Sequence, residues 1–473
     1  MDAVTNGRQP VRDLRRELKM RTRTGALLLL VFLVRFSLML LPGYPPDLQD
    51  YKIWAIAAGQ RGIHTVYDPS PTPKAESLAV TEVYARFDYP PLYAYLLAPM
   101  GRFYVWITPN WSERFAFSHF FSLIVKLPPL LFDLLLALLL ARLSSRPGFW
   151  NSRGANFAWF PALLYLIHPA VLFDSAYWGQ PDSVEIFLSL LALALILWKR
   201  SSLGWSCAAL ACLMKPLAVP FLPLLAVATW HRSGWSGLAR GAVAVLLTSL
   251  VVYLPFIATE RGGLAFARLI RDVNVMPYTS LNAHNLWWLI APWRSTEQPI
   301  FAGISPTAIS LLLFASAYLF ILVCLLRRVG LAPSSAQNDG AGEEFWLLAW
   351  TGVAFSFFYL STHMHENHLF AVIPASILLA ERGRPWRYFA IGIGIAVLMN
   401  MVIHDWHLSR LWIWKIGGFS DLLRPDIKSF MPVFELALAT ANSLFVTALY
   451  FFFAIVVLWK SRYLVALRRR WLN

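Results

Sequence analysis

The chain is short of charge. Only 14% of its 473 residues are Asp, Glu, Lys or Arg, while 58% are hydrophobic, a balance that excludes one soluble core because no such core could bury so much apolar surface. Acidic residues are the scarcer kind, 26 against 41 Lys and Arg. A net charge of +15 in a soluble protein would point to nucleic acid. Here the basic residues stand at the ends of apolar runs, as the positive-inside bias of a polytopic membrane protein requires, so no nucleic-acid partner is expected. Cysteine is nearly absent. Cys207, Cys212 and Cys324 lie inside apolar stretches, which reads them as packing residues and excludes a disulfide frame. Also missing are an internal repeat of two halves, a glycine-rich or acidic diphosphate site on a sizeable inner domain, and a small-residue cleavage site after the first apolar run. That run is therefore expected to stay as the first span.

What is present sorts into two sides. Residues 1–23 carry seven Arg and Lys residues and place the N-terminus in the cytoplasm, as does the basic tail 460–473. Between them a domain of residues 24–459 is expected to be an all-α bundle of about twelve transmembrane helices, near 24–42, 118–142, 157–173, 183–199, a broken pair at 203–231, 238–258, 304–327, 345–361, 366–381, 387–404 and 441–459. Basic turns then fall inside, with a flexible cytoplasmic linker at about 329–344. A long first outer loop at about 43–117 is expected to hold surface-lying amphipathic helices, and two further outer segments span 259–303 and 405–440.

The polar motifs gather in the outer segments. In YPPDLQDYKIW, Asp47 stands where a helix N-cap belongs, and Asp50, one turn later on the same face, is either a proton acceptor for a substrate hydroxyl or a first-turn acid favoured by the helix dipole. FDYPPLYAYL offers Asp88 and Tyr89 just before a proline-started helix, Asp88 serving as a sugar-hydroxyl acceptor or a turn carboxylate. DSAYWGQPDS supplies Trp178 as a flat platform with Gln180 and Asp182 as hydrogen-bonding groups, the mixture carbohydrate sites use. Asp182 or Ser183 equally suits a helix cap, and Trp178 an interfacial anchor.

Several cations need partners. Lys126 and Asp133 are two turns apart on one helix face and so can pair within the bundle. Arg35, inside the first span, requires a carboxylate or phosphate. Lys215-Pro216 breaks an apolar stretch, which makes Lys215 an anion-binding candidate or a lysine reaching to the membrane surface. Arg268, Asn282 and His284 are the polar candidates of the next outer segment, beside Trp287 and Trp288, expected in an interfacial belt. STHMHENHLF crowds His363, His365, Glu366 and His368 together. It lacks the HEXXH order and a second ligand cluster, so phosphate or hydroxyl contact is expected rather than a metal.

DYKIW, FDYPPL, a Lys-Pro break, FAR and a His-x-His-Glu segment, in that order, resemble the GT-C membrane glycosyltransferases, especially the dolichyl-phosphate-glucose glucosyltransferases of N-glycan assembly and related bacterial enzymes. The resemblance covers most of the chain, and FDYPPLYAYL, ITPNWSERFAF, KLPPLLFDLL and THMHENHLF are its most specific pieces. It implies Asp50 as the first-loop catalytic acid, Asp88 as the DYPPL acid and His365-Glu366 as the His-Glu motif. Two departures stand out: Asn367 replaces the usual Lys after the His-Glu pair, and WGQPD replaces an HFQYN-like turn, as in bacterial relatives.

The expectation is an inverting hexosyltransferase that uses a polyprenyl-phosphate sugar donor and a lipid-linked or other glycan acceptor among membrane lipids, without a cofactor or metal. Asp50 would be the base, and His365, Lys215, Arg268 and His363 would meet the donor phosphate. Asp88, Tyr89, Trp178, Gln180, Asp182, Glu366, Asn282 and His284 would meet sugar or acceptor. A bacterial plasma membrane with an outward-facing site is favoured over the endoplasmic reticulum, although Asn110-Trp111-Ser112 forms a glycosylation sequon. The rival class is a secondary transporter, which would also use a broken span and buried charges.

Overall fold

The computed structural model describes residues 25–68, 87–109, 115, 118–145, 159–272, 277–330, 342–416 and 433–472, without the side chains of 268–272, 405–416, 433 and 458–472. The basic N-terminus, residues 69–86 of the expected first outer loop, the Asn110 sequon, residues 331–341 of the expected 329–344 linker, residues 417–432 of the expected 405–440 loop and the Arg268 side chain lie outside the described residues. The protein is 81% helical, with no strand among the described residues, which fixes its class as all-α.

Helix α1 (Gly25–Met39) ends shortly before Gly43, a residue at φ +69°. Helix α2 (Pro45–Ile56) then begins on a proline pair at positions where a missing N–H costs nothing. Tyr44 is thus its N-cap, and Asp47 lies within the first turn rather than at the cap as expected. The helix runs into a wide turn, Ala57–Arg61, and is buried along most of its length, Leu48, Tyr51, Ile53 and Trp54 included. It is an enclosed helix, not the surface-lying one its polar residues suggested. Helix α3 (Pro91–Ile107) again starts on proline and packs across α2 so closely that a Cβ at Gly101 would come within 1.9 Å of the Ala55 carbonyl oxygen. Only glycine permits that crossing.

Helices α4 (His119–Val125) and α5 (Leu127–Ser144) meet at Lys126 and together are long and apolar enough to cross a membrane. Next come α6 (Phe160–Leu166) and α7 (Pro169–Val171), the latter continued by a wide turn to Trp178. The two are bent by 49° and form a broken crossing if counted as one. Helices α8 (Asp182–Leu197), α9 (Ser201–Met214) and α10 (Leu222–Ala258) pack side by side. Between α9 and α10, Lys215 is extended and Pro216–Phe221 forms a tight turn; Gly234, at φ +60°, interrupts α10. Helices α11 (Gly262–Asp272) and α12 (Leu286–Ile290) are short. Then follow α13 (Pro306–Val329), α14 (Glu343–Leu360), α15 (Val372–Ala380), α16 (Arg384–Ile416) and α17 (Val433–Leu472).

Among the described residues 5 helices are long and apolar enough to cross a membrane, or 6 with the bent pair. Helices α1, α8, α9 and α15 are apolar but shorter than the roughly 20 residues a bilayer core asks. Large side chains such as Leu246, Val251, Leu311, Leu312 and Leu319 stand exposed on α10 and α13. Water would not tolerate so much exposed apolar area, whereas lipid does, and the protein is a membrane protein by this criterion.

Buried charges lock the bundle. Arg35 Nη1 of α1 donates to Asp133 Oδ2 of α5 at 2.7 Å, and Tyr165 and Ser175 hydroxyls also donate to that carboxylate. Lys126 therefore does not pair with Asp133. The proline pair at 128–129 restarts the helix after Lys126, whose Nζ instead donates to the Met39 and Leu41 carbonyls at 3.2 and 3.0 Å. It fastens the C-terminal end of α1, where free carbonyls favour a cation.

Candidate active site

Four breaks in helical structure meet at the end of the bundle where α5 begins and α14 finishes. They are the start of α2, the turn after α7, the extended Lys215 and the segment 361–368. Ser144, Glu344, Glu381 and Arg382 lie at the opposite end, where Arg382 pairs with Glu344 at 3.4 Å.

Asp47 is the centre of the first group. Its Oδ2 accepts the Trp178 indole N–H at 2.9 Å and a second hydrogen bond from Gln180 Nε2, while Gln180 Oε1 accepts the Tyr51 hydroxyl at 3.1 Å. Gly179, at φ +89°, gives the tight turn that aims Trp178 and Gln180 at the same oxygen. Trp178 is fully buried and stacks on His404 with ring centroids 5.6 Å apart and planes at 5°. It is a wall of the site, not an interfacial anchor. His404 in turn faces Glu366, Nε2 to Oε1 at 3.5 Å.

The second group is built on Lys215. Its ammonium pairs with Asp182 Oδ1, and Asp182 Oδ2 accepts from Asn367 Nδ2 at 2.6 Å, so Asn367 is a working member of the site. Pro181, not Asp182, is the N-cap of α8, and Ser183 donates to the Pro129 carbonyl; the capping alternative for both residues is thereby replaced. Lys215 Nζ also lies 5.9 Å from the centre of the Tyr89 ring, which packs on Tyr93. The extended backbone of Lys215 makes this reach possible, as no helical position would.

His365 closes the arrangement, its Nδ1 3.9 Å from Glu366 Oε2 and its backbone N–H donating to His368 Nδ1 at 3.1 Å. His363, at φ +61°, points elsewhere and engages Thr296 and Thr362 at 3.3 and 3.0 Å. His284 is 1% exposed, with Nδ1 against Asn442 at 2.9 Å, while its backbone and that of Asn282 are held by Asn400. This knot fastens the segment before α12 to α16 and α17. It supports the site without lining it. Trp287 and Trp288 are likewise buried, so the expected interfacial belt is part of the packing.

The electrostatics separate the two loop acids. Asp47 is pushed up to about 7 by burial, against the lowering hydrogen bond from Trp178, and the nearby Glu366 and Asp88 carboxylates push it further up. Asp50 is raised well above the carboxylate range by burial and then by Asp47 and Asp88, and its Oδ1 has no hydrogen-bond partner. Burial lowers the His365 imidazole. Asp88 is exposed at the rim, within electrostatic reach of both loop acids. Among the described residues no group of three His, Cys, Asp or Glu side chains could hold a metal ion.

Of the expected residues, Asp50, Asp88, Tyr89, Trp178, Gln180, Asp182, Lys215, His365 and Glu366 come together. Asp47, Asn367 and His404 join them unexpectedly. Asp47 and Asn367 were visible as polar residues inside the motifs, whereas His404 sits in an apolar span with no pattern to mark it. No protein-family model and no curated protein matches this chain.

Proposed function

We propose that the chain is an inverting glycosyltransferase of the GT-C type, with about twelve crossings, that moves a hexose from a polyprenyl-phosphate sugar to a lipid-linked glycan or other acceptor at the outer membrane face. The observation that carries this reading is the Asp47 carboxylate, oriented by Trp178 and Gln180 and poised near neutrality. A general base works best with a pKa near the working pH. Asp47 rather than Asp50 is therefore assigned as the base, because two directed donors fix its orientation and a pKa raised to about 7 leaves a substantial share of it ionised at neutral pH.

The acceptor hydroxyl would give its proton to Asp47 as its oxygen attacks the anomeric carbon from the face opposite the phosphate. The carbon–oxygen bond to phosphate breaks, its electron pair leaves with polyprenyl phosphate, and the anomeric centre inverts. Lys215 supplies positive charge for that leaving group, held in place by Asp182 and Asn367, and His365 adds a hydrogen-bond donor. Arg268, whose side chain lies outside the described residues, remains a further donor-side candidate, whereas His363 is turned to Thr296 and Thr362 and is not one. Tyr89 offers a flat face, with Trp178 buried behind Asp47, and Gln180, Asp88 and Glu366 offer polar edges for sugar rings.

A secondary transporter would also use the Lys215 break and the buried pairs. One assay separates the two. Purified protein incubated with a panel of polyprenyl-phosphate sugars and candidate glycan acceptors is expected to release polyprenyl phosphate, read by mass spectrometry, and Asp47→Asn is expected to lower the rate by about a hundredfold or more. Release unaffected by Asp47→Asn would refute the base assignment. Absence of release across the panel, with substrate movement in sealed vesicles, would favour the transporter.

A further inference from the structure

Behind the Asp182–Lys215 pair lies a small cavity bounded by Asp182, Glu185, Phe221, Phe357, Asn367 and His368. Glu185 is 2% exposed, stands one turn after Asp182 on the same face of α8, and its Oε1 has no hydrogen-bond partner. The cavity offers about 20 Å³, more than the roughly 10 to 15 Å³ that one water occupies on this measure. A water also needs two or more polar partners, and Glu185, Asp182 and His368 all border the space.

The charges set the state of Glu185. Lys215 and Cys212 face it from the α9 end, Asp182 and Ser189 from its own helix, and Asn367 and His368 from the turn before α15. Asp174 adds a further carboxylate near Lys215. Lys215 is the single lysine in this group, and Asp182 is in direct contact with it. A second ionised carboxylate here would be a buried anion without a counterion, which is costly, whereas a neutral acid can donate one hydrogen bond and leave the ion pair intact.

We propose that Glu185 is a positioning residue that stands as the neutral carboxylic acid and holds one water in this cavity, and that through this water it fixes the Asp182 carboxylate that orients Lys215. Its effect on turnover rests on the transferase reading. Its protonation and its water do not.

Two readouts test this. In infrared difference spectra of the full-length protein at neutral pH, parent against Glu185→Gln, a carboxylic-acid C=O band is expected in the parent and absent from the variant. In the transferase assay Glu185→Gln, which keeps a neutral hydrogen-bonding group, is expected to retain at least about half of parental kcat. Glu185→Leu, which removes the polar group and leaves the water without its donor, should lose about tenfold or more in kcat, with KM for acceptor little changed. Glu185→Met serves as a second apolar replacement should the leucine variant fail to fold. A missing band difference overturns the neutral-acid assignment, and Glu185→Gln as impaired as the apolar variants overturns the positioning role. The band is read whether or not the parent transfers sugar, so failure of the transferase reading is told apart from failure of this one.

Discussion

Asp47 works against the fold that holds it. Its carboxyl, ordinarily near 3.8, is raised to about 7 chiefly by burial, so between those values the folded protein holds a proton that the unfolded chain has already released. Stability therefore falls as pH rises through that window and stays at the lower level above it. Asp47→Asn removes the titration while its amide oxygen still accepts from Trp178. Thermal unfolding in detergent is expected to place the variant about 2 °C or more above the parent at pH 8, with a smaller difference at pH 5 that vanishes below about pH 4. Equal midpoints at both pH values would show that Asp47 is not perturbed by the fold. The same residue marks a limit of reading from sequence: its place just after Pro45-Pro46 suggests a cap, but the two prolines can occupy the first helical positions, which moves the helix start back to Pro45. Only the structure brings the Trp178–Gln180 turn against it.

At the level of elements, proline decides where the polar groups meet. Pro128 and Pro129 restart a helix and turn Lys126 from Asp133 toward the end of α1, and Pro216 leaves Lys215 extended toward Asp182. That Arg35 needs a carboxylate followed from the cost of a buried charge; that the carboxylate is Asp133 did not, because helix-face arithmetic assumed no break at Lys126. Asp133→Ala should leave Arg35 buried without its counterion and cost about 3 to 5 kcal/mol. In a detergent thermal-shift measurement it should lower the midpoint markedly, while the double variant Arg35→Met with Asp133→Leu should recover much of the loss. A double variant no better than the single one would mean that the pair contributes more than mutual neutralisation.

At the scale of the whole molecule, hydropathy made the all-α membrane class legible, because apolar runs need no tertiary partner to be recognised. The roles of short helices were less legible. Helices α8, α9 and α15 gain their place by packing on neighbours rather than by length, and the segment before α12 hides a polar knot of His284, Asn400 and Asn442 that no local pattern announces. The two ends of the bundle carry different groups: the carboxylate and histidine cluster lies at one, and Arg142, Glu344 and Arg382 at the other. If the basic end faces the cytoplasm, Ser145, just after α5, must be inside, and Gln298, exposed before α13, must be outside. In a variant with Cys207, Cys212 and Cys324 replaced by alanine, Gln298→Cys should react with a membrane-impermeant maleimide added to intact cells, and Ser145→Cys only after the membrane is opened. The reverse pattern would turn the proposed site toward the cytoplasm and rule out transfer at the outer face, whatever chemistry its residues perform.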